Sequence, residues 1–201
     1  MNHVDEFDAH YAFEQLRRSR HFFRKMIKYF YLENILRDVQ GKTIDFGCGA
    51  GQLLARLPAG SLGLEVNPHL VHALRKAGLR AQQYDVEDHF SFTSLPSNHY
   101  RTFVMAHVLE HFDAADALLH TILQSCHRIG IERAIIVVPG LKGFQSDKTH
   151  KTFINRSYLA EHGLLECAGY KLKAVTYFPF NKEFIGNHFV FHEMKLIYER
   201  L

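Results

Sequence analysis

Apolar and polar positions along the chain change period several times, and each change marks an element. "TIDFG" at 43–47 is a short apolar run that stops at glycine, and "QLLARL" after it reads as a helix. "LGLEV" predicts a second strand and "PHLVHALRKAG" the helix that follows. "LRAQQYDV" predicts a third strand, "YRTFVMAHV" a fourth and "RAIIVVPG" a fifth. The helical "AADALLHTILQSCHRI" separates the last two. Strands alternating with helices imply a parallel sheet covered on both faces. After Pro139 come a loop over 140–152 and a helix through "RSYLAEHGLLECAGY". "KLKAVTYFPF" and "HFVFHEMKLIYER" then alternate with only a loop between them, which predicts an antiparallel pair at the sheet edge. A basic, aromatic-rich helix over about Ala12 to Asp38 precedes everything else. The expected fold is α/β: a three-layer, Rossmann-like, doubly wound sheet, mostly parallel, with an antiparallel C-terminal hairpin.

Composition narrows the class. With 201 residues, 47% of them hydrophobic, the chain has the length and apolar content of one domain with a substantial core. The expected division is an N-terminal cap over 1–40, a core over 41–140, and a loop, helix and hairpin over 141–201. A net charge of +3 is too balanced to point to nucleic acid. The three cysteines are far apart and odd in number, which suits a reduced, cytoplasmic setting. No segment has the apolar length of a membrane span, and the polar N-terminus lacks a signal-peptide core.

In open sheets of this kind, ligands bind beyond the carboxyl ends of the strands. "IDFGCGAG" lies at the first such end, where Gly47, Gly49 and Gly51 permit a sharp turn and a close backbone approach to a ligand. Asp45 precedes the glycines. Glu65 ends the second strand, where an acid accepts both hydroxyls of a ribose. Asp85 closes the third strand and is placed to accept from an adenine amine, with the Val86 amide meeting a ring nitrogen. A dinucleotide fingerprint needs a glycine at position 52, where Gln52 stands, and no phosphate-binding G-K-[ST] string occurs. Nicotinamide and ATP are both poorly served.

Taken in order, "TIDFGCGAGQLL", "LGLEVNP", "YDVED" and "VMAHVLEHF" resemble class I S-adenosylmethionine-dependent methyltransferases of the methyltransferase-11 type. The resemblance covers about residues 41 to 140. It implies the strand order 3-2-1-4-5-7-6 and S-adenosylmethionine as cofactor. Asp45, Gly47, Gly49 and Gly51 would cradle the methionine part. Glu65 would take the ribose, Val66 would lie against adenine, and Asp85 and Val86 would address its edge. His107 would stand beside the methionine part. The reaction implied is methyl transfer to an oxygen or nitrogen of a small molecule such as a glycan, lipid or other metabolite. The alternative is a noncatalytic, cofactor-binding partner subunit.

"HVLEH" at 107–111 also has the H-x-x-E-H spacing of inverted zinc peptidases. The strand "RTFVMA" runs straight into His107, so the two histidines straddle a strand-to-helix turn and do not share a helical face. No metal is expected. In the loop after the fifth strand, Asp147 and His150 are three apart, a spacing for a carboxylate assisting a histidine base. That pair forms the catalytic expectation, against the alternative that His150 only orders the loop. The N-terminal "HYAFEQLRRSRHFF" resembles the entrance helix of some methyltransferases, with Arg17 and Arg18 near the cofactor's carboxylate. Its basic residues interleave with aromatics, which also fits an amphipathic helix packing its aromatics on the domain, a lid, an anionic acceptor site or peripheral contact with a membrane surface. A small-molecule acceptor, no nucleic-acid partner, and a monomer or homodimer complete the expectations.

Overall fold

A computed structural model describes residues 22–85 and 90–201. The chain runs through α1 (Phe22–Leu36), β1 (Thr43–Phe46), β2 (Leu62–Glu65), α2 (Pro68–Lys76) and β3 (Ala81–Gln83). It continues through β4 (Thr102–Ala106), α3 (Ala115–Arg128), β5 (Arg133–Pro139), α4 (Leu141–Gln145) and α5 (Arg156–Glu161). It closes with β6 (Glu166–Cys167), β7 (Tyr170–Phe178) and β8 (Glu193–Arg200). The eight strands form one sheet in the order β3-β2-β1-β4-β5-β8-β7-β6. β1 to β5 pair in parallel, whereas β5–β8, β8–β7 and β7–β6 pair antiparallel. With two-residue β6 set aside, this is the expected order, the terminal hairpin inserted with its last strand inside.

Side-chain alternation along the central strands builds a core on each face. Phe103 and Met105 of β4, with Ala134, Ile136 and Val138 of β5, pack beneath α3. Val104, Ile135 and Val137 point the other way, against Tyr31, Leu32 and Ile35 of α1. α1 is fastened as well as packed. Lys195 of β8 is buried, donates to the Asn34 carbonyl at 2.6 Å and pairs with Asp38. An ammonium taken out of water needs such partners. Asn67 caps α2 by accepting from the His69 and Leu70 amides, with Pro68 in the first turn.

Two predicted helices are much shorter than expected. "QLLARL" forms only a 3-10 turn, Leu54–Arg56, and Leu57 is already extended at ψ 158° ahead of Pro58. The proline ring disfavours helical backbone in the residue before it. The helix over 156–170 ends at Glu161, and Gly163 turns the chain in the left-handed region at φ +67°. The remainder supplies β6. "HFVFH" is not strand either: β8 begins at Glu193, and Phe189, Val190 and Phe191 are exposed in the preceding loop. The entrance-helix reading of Arg17 and Arg18 lies outside the described residues, as does Val86.

Candidate active site

The carboxyl edge of the parallel strands gathers most of the expected residues. Gly47, Gly49 and Gly51 all have positive φ, at 70°, 53° and 72°. Their reasons for being glycine differ. A Cβ on Gly47 would lie 2.5 Å from Val108 Cγ2, and one on Gly51 would lie 2.3 Å from Leu74 Cδ2. Both admit close packing by neighbouring side chains. Around Gly49 the nearest atom is the Gly47 carbonyl at 4.0 Å, so its bare backbone faces open space. That is the surface on which a ligand can rest.

Glu65 ties the turn to the second strand. Its Oε2 accepts from the Gly49 amide at 2.8 Å and its Oε1 from the Asn67 amide at 3.0 Å. Each oxygen retains a lone pair for a further donor. Asp45 is buried, and its Oδ2 has no hydrogen-bond partner among the described residues. Burial first, and then the charge of Glu65, hold its carboxyl up at about 7, against a backbone hydrogen bond from Leu54. Val66 packs partly buried against the core, and Asp85 is exposed just past β3.

His107 stands on β4's far end with a left-handed φ of 56°, its amide bonded to the Val137 carbonyl at 2.9 Å. Its Nε2 lies 2.9 Å from Glu193 Oε1 and its Nδ1 3.3 Å from Glu110 Oε1. Burial alone would lower its pKa, but Glu193 and Glu110 outweigh this and raise it to about 10. The ring is therefore an imidazolium braced between two carboxylates. Tyr31 packs against it, ring centroids 5.7 Å apart. Burial, then Glu193, Asp45 and Glu110, push the Tyr31 hydroxyl well above its ordinary value.

Tyr31 and Glu193 are site residues that the sequence reading did not name. Glu193 has a legible signal: the first residue of an antiparallel strand lies at the carboxyl edge of its parallel neighbour, and Glu193 pairs with Pro139. The hydroxyl of Tyr31, Asp45 Oδ2, Glu110 Oε2 and Glu193 Oε2 are all buried without a partner among the described residues. Three carboxylates (Asp45, Glu65 and Glu193) and one imidazolium make an acceptor-rich crevice suited to a cationic ligand with several N–H or O–H donors.

The expected Asp147–His150 pair is rearranged. Asp147 Oδ1 accepts instead from the Thr149 amide at 2.9 Å and the Thr149 hydroxyl at 2.7 Å. His150 turns to Glu110, with Nε2 3.8 Å from Oε1. The loop is strapped there by the Lys151 and Thr152 amides, both donating to the Glu110 carbonyl. Beyond Phe144 and Phe153, whose rings are 5.4 Å apart, a cavity of about 360 Å³ opens between Pro139, Phe153, Asn155, Tyr177, Phe184 and Met194.

Residues 44–138 match the family model of the methyltransferase domain. They form a methyltransferase domain. No curated protein is a sequence match for the chain. Among solved structures, the chain is similar to a SAM-dependent methyltransferase from Archaeoglobus fulgidus at 18% identity and TM-score 0.67, covering 96% of this chain and 100% of that one. It is also similar to magnesium protoporphyrin IX methyltransferase from Synechocystis PCC 6803 with bound SAH, at 14% identity, TM-score 0.64 and 98% of each chain. A third is the complex of the Haloferax volcanii Trm112 methyltransferase activator with a methyltransferase, at 16% identity and TM-score 0.65, covering 99% of this chain and 97% of that one. The fold around the methyltransferase domain is thus the one shared by class I SAM-dependent methyltransferases.

Proposed function

We propose that this methyltransferase binds S-adenosylmethionine over the glycine turn and passes its methyl group to an oxygen or nitrogen of a small molecule. The observation that carries the reading is the open backbone at Gly49, tied to Glu65 at 2.8 Å, together with the buried oxygens of Asp45 and Glu193 that lack a partner among the described residues. S-adenosylmethionine has a sulfonium, an ammonium and two ribose hydroxyls, and so brings the positive charge and donors that these acceptors match. Asp45 and the turn would hold the methionine part, Glu65 the ribose, and Val66, Asp85 and Val86 the adenine, with His107 beside the methionine part.

A cavity of about 360 Å³ is the size of a small-molecule site, which supports a metabolite as acceptor. His150, three residues before the cavity-lining Phe153, is proposed as the catalytic side chain. Its Nδ1 faces the Phe144 carbonyl at 2.9 Å. A carbonyl only accepts, so Nδ1 carries the proton and Nε2 presents a lone pair. Asp147 acts through Thr149 to position the loop. The rate gain would come chiefly from holding the nucleophile in line with the methyl group in a dry site. Among the described residues no helix is long and apolar enough to cross a membrane. We place the protein in the cytoplasm as one domain.

Calorimetric titration with S-adenosylmethionine and, separately, with NADH tests the cofactor. Tight binding of NADH and none of the sulfonium compound would refute the reading. Glu65→Ala should weaken cofactor binding by about 1–3 kcal/mol, because hydroxyls would be buried without an acceptor.

A further inference from the structure

Glu110, His111 and His150 converge although they come from different segments. Each offers one ligand atom, and the three lie within 4.8 Å of one another. Glu110 and His111 belong to the 3-10 turn after β4, and His150 belongs to the loop after β5, which the Glu110 carbonyl straps down.

Both imidazoles are oriented in the same sense. His150 Nδ1 faces the Phe144 carbonyl at 2.9 Å, and His111 Nδ1 faces the Thr149 hydroxyl at 3.1 Å, whose proton goes to Asp147, and the Thr149 carbonyl at 3.3 Å. Each carbonyl only accepts, so each Nδ1 carries the proton and each Nε2 keeps its lone pair. A backbone carbonyl behind the far nitrogen is the usual support of a metal-binding histidine. Thr149 is in turn fixed by Asp147, through both its amide and its hydroxyl.

The third donor is independently anomalous. Glu110 is fully buried, yet its Oε2 has no hydrogen-bond partner among the described residues. A carboxylate oxygen in that position is costly unless something positive reaches it. Oε1 faces His107 Nδ1 at 3.3 Å, whereas His150 Nε2 at 3.8 Å is too far to hydrogen-bond to it, so Oε2 is left for a further cation.

We propose that Glu110, His111 and His150 form a divalent-cation site with two imidazole nitrogens and one carboxylate oxygen. Ligand bonds of about 2.0–2.2 Å would bring the donor atoms to about 3.4 Å from one another, so the triangle closes by up to about 1.4 Å through side-chain rotation, and the half-buried His111 gives access from solvent. This donor set suits zinc or cobalt better than magnesium, and three protein ligands leave a position open to water or an acceptor oxygen. The site differs from the peptidase reading of the same string, because His107 is committed to Glu193 and its place is taken by His150. It also departs from the expectation of no metal. With the cation held, His150 would reach an acceptor through it and not as a free base.

The test uses the untagged, full-length chain stripped with EDTA and titrated with Zn²⁺ by calorimetry and with Co²⁺ by visible absorption. One equivalent should bind, and His111→Ala and Glu110→Gln should each weaken it by about tenfold or more. No stoichiometric uptake, or uptake unchanged in His111→Ala, overturns the site. His111 is half-buried, so that variant decides the matter even if Glu110→Gln folds poorly. S-adenosylhomocysteine is titrated into the same samples. Its failure to bind the parent chain would count against the cofactor reading alone, because the cation site rests on its own side chains.

Discussion

At the scale of single residues, the glycine turn separates packing from binding. Ala at either Gly49 or Gly51 must adopt left-handed backbone, which costs about 1–2 kcal/mol. At Gly51 the new methyl also collides with Leu74, adding about 1–3 kcal/mol of overpacking. Gly51→Ala should therefore lower the melting temperature more than Gly49→Ala. Gly49→Ala should show the greater loss of cofactor affinity relative to its stability loss, because its methyl enters the open face. Denaturation and calorimetry on the two variants check both halves.

Asp45 adds a pH dependence. Its folded pKa of about 7 lies above the ordinary 3.8, because of burial and then Glu65. The folded state binds a proton that the unfolded chain has already released between those values. Its favourable contribution is complete below about pH 4 and is lost as pH rises through about 7. A cationic cofactor favours the ionised carboxylate, so cofactor binding should tighten from pH 6 to 8 and Asp45→Asn should flatten that rise. Calorimetric binding curves at several pH values measure it.

At the scale of elements, His107 joins the end of β4 to the start of β8 through Glu193 and to the following turn through Glu110. Its pKa is raised from 6.5 to about 10, with the two carboxylates overriding burial. A base raised on folding stabilises fully below about pH 6.5 and loses that contribution as pH climbs through about 10. His107→Gln should therefore reduce the loss of melting temperature between pH 7 and 10 relative to the parent chain. A parallel loss in both proteins would count against the brace.

The elements also show where periodicity succeeds and fails. Long strands with two buried faces, such as β5, are legible as apolar runs, because every position after Arg133 is buried and the run is bounded by charge and proline. "QLLARL" and "RSYLAEHGLLECAGY" have helical patterns, yet Pro58 and Gly163 cut them short through backbone geometry. "HFVFH" alternates like a strand but is left in a loop, since the partner strand β5 already ends opposite Glu193 at Pro139.

At the scale of the whole molecule, a ligand that binds only the folded state stabilises it by mass action. S-adenosylhomocysteine at about 100 times its dissociation constant should contribute about 2.7 kcal/mol. For a chain of this size that is a rise in melting temperature of about 5–10 °C. Thermal denaturation with and without the compound checks it, and no shift at that ratio would contradict binding to the folded domain.

Local chemistry by itself determined the alternation of strands and helices, the glycine turn and the acids at 45 and 65, because those features are written in short runs of neighbouring residues; the sheet order came from the family resemblance and is seen in the structure. The tertiary structure decided the partners. It set Glu193 and Tyr31 beside His107, turned His150 from Asp147 toward Glu110, and brought His111 to the same point. The physical reason is distance along the chain: Glu193 and His107 are 86 positions apart and meet only because an antiparallel last strand begins where the parallel strands end.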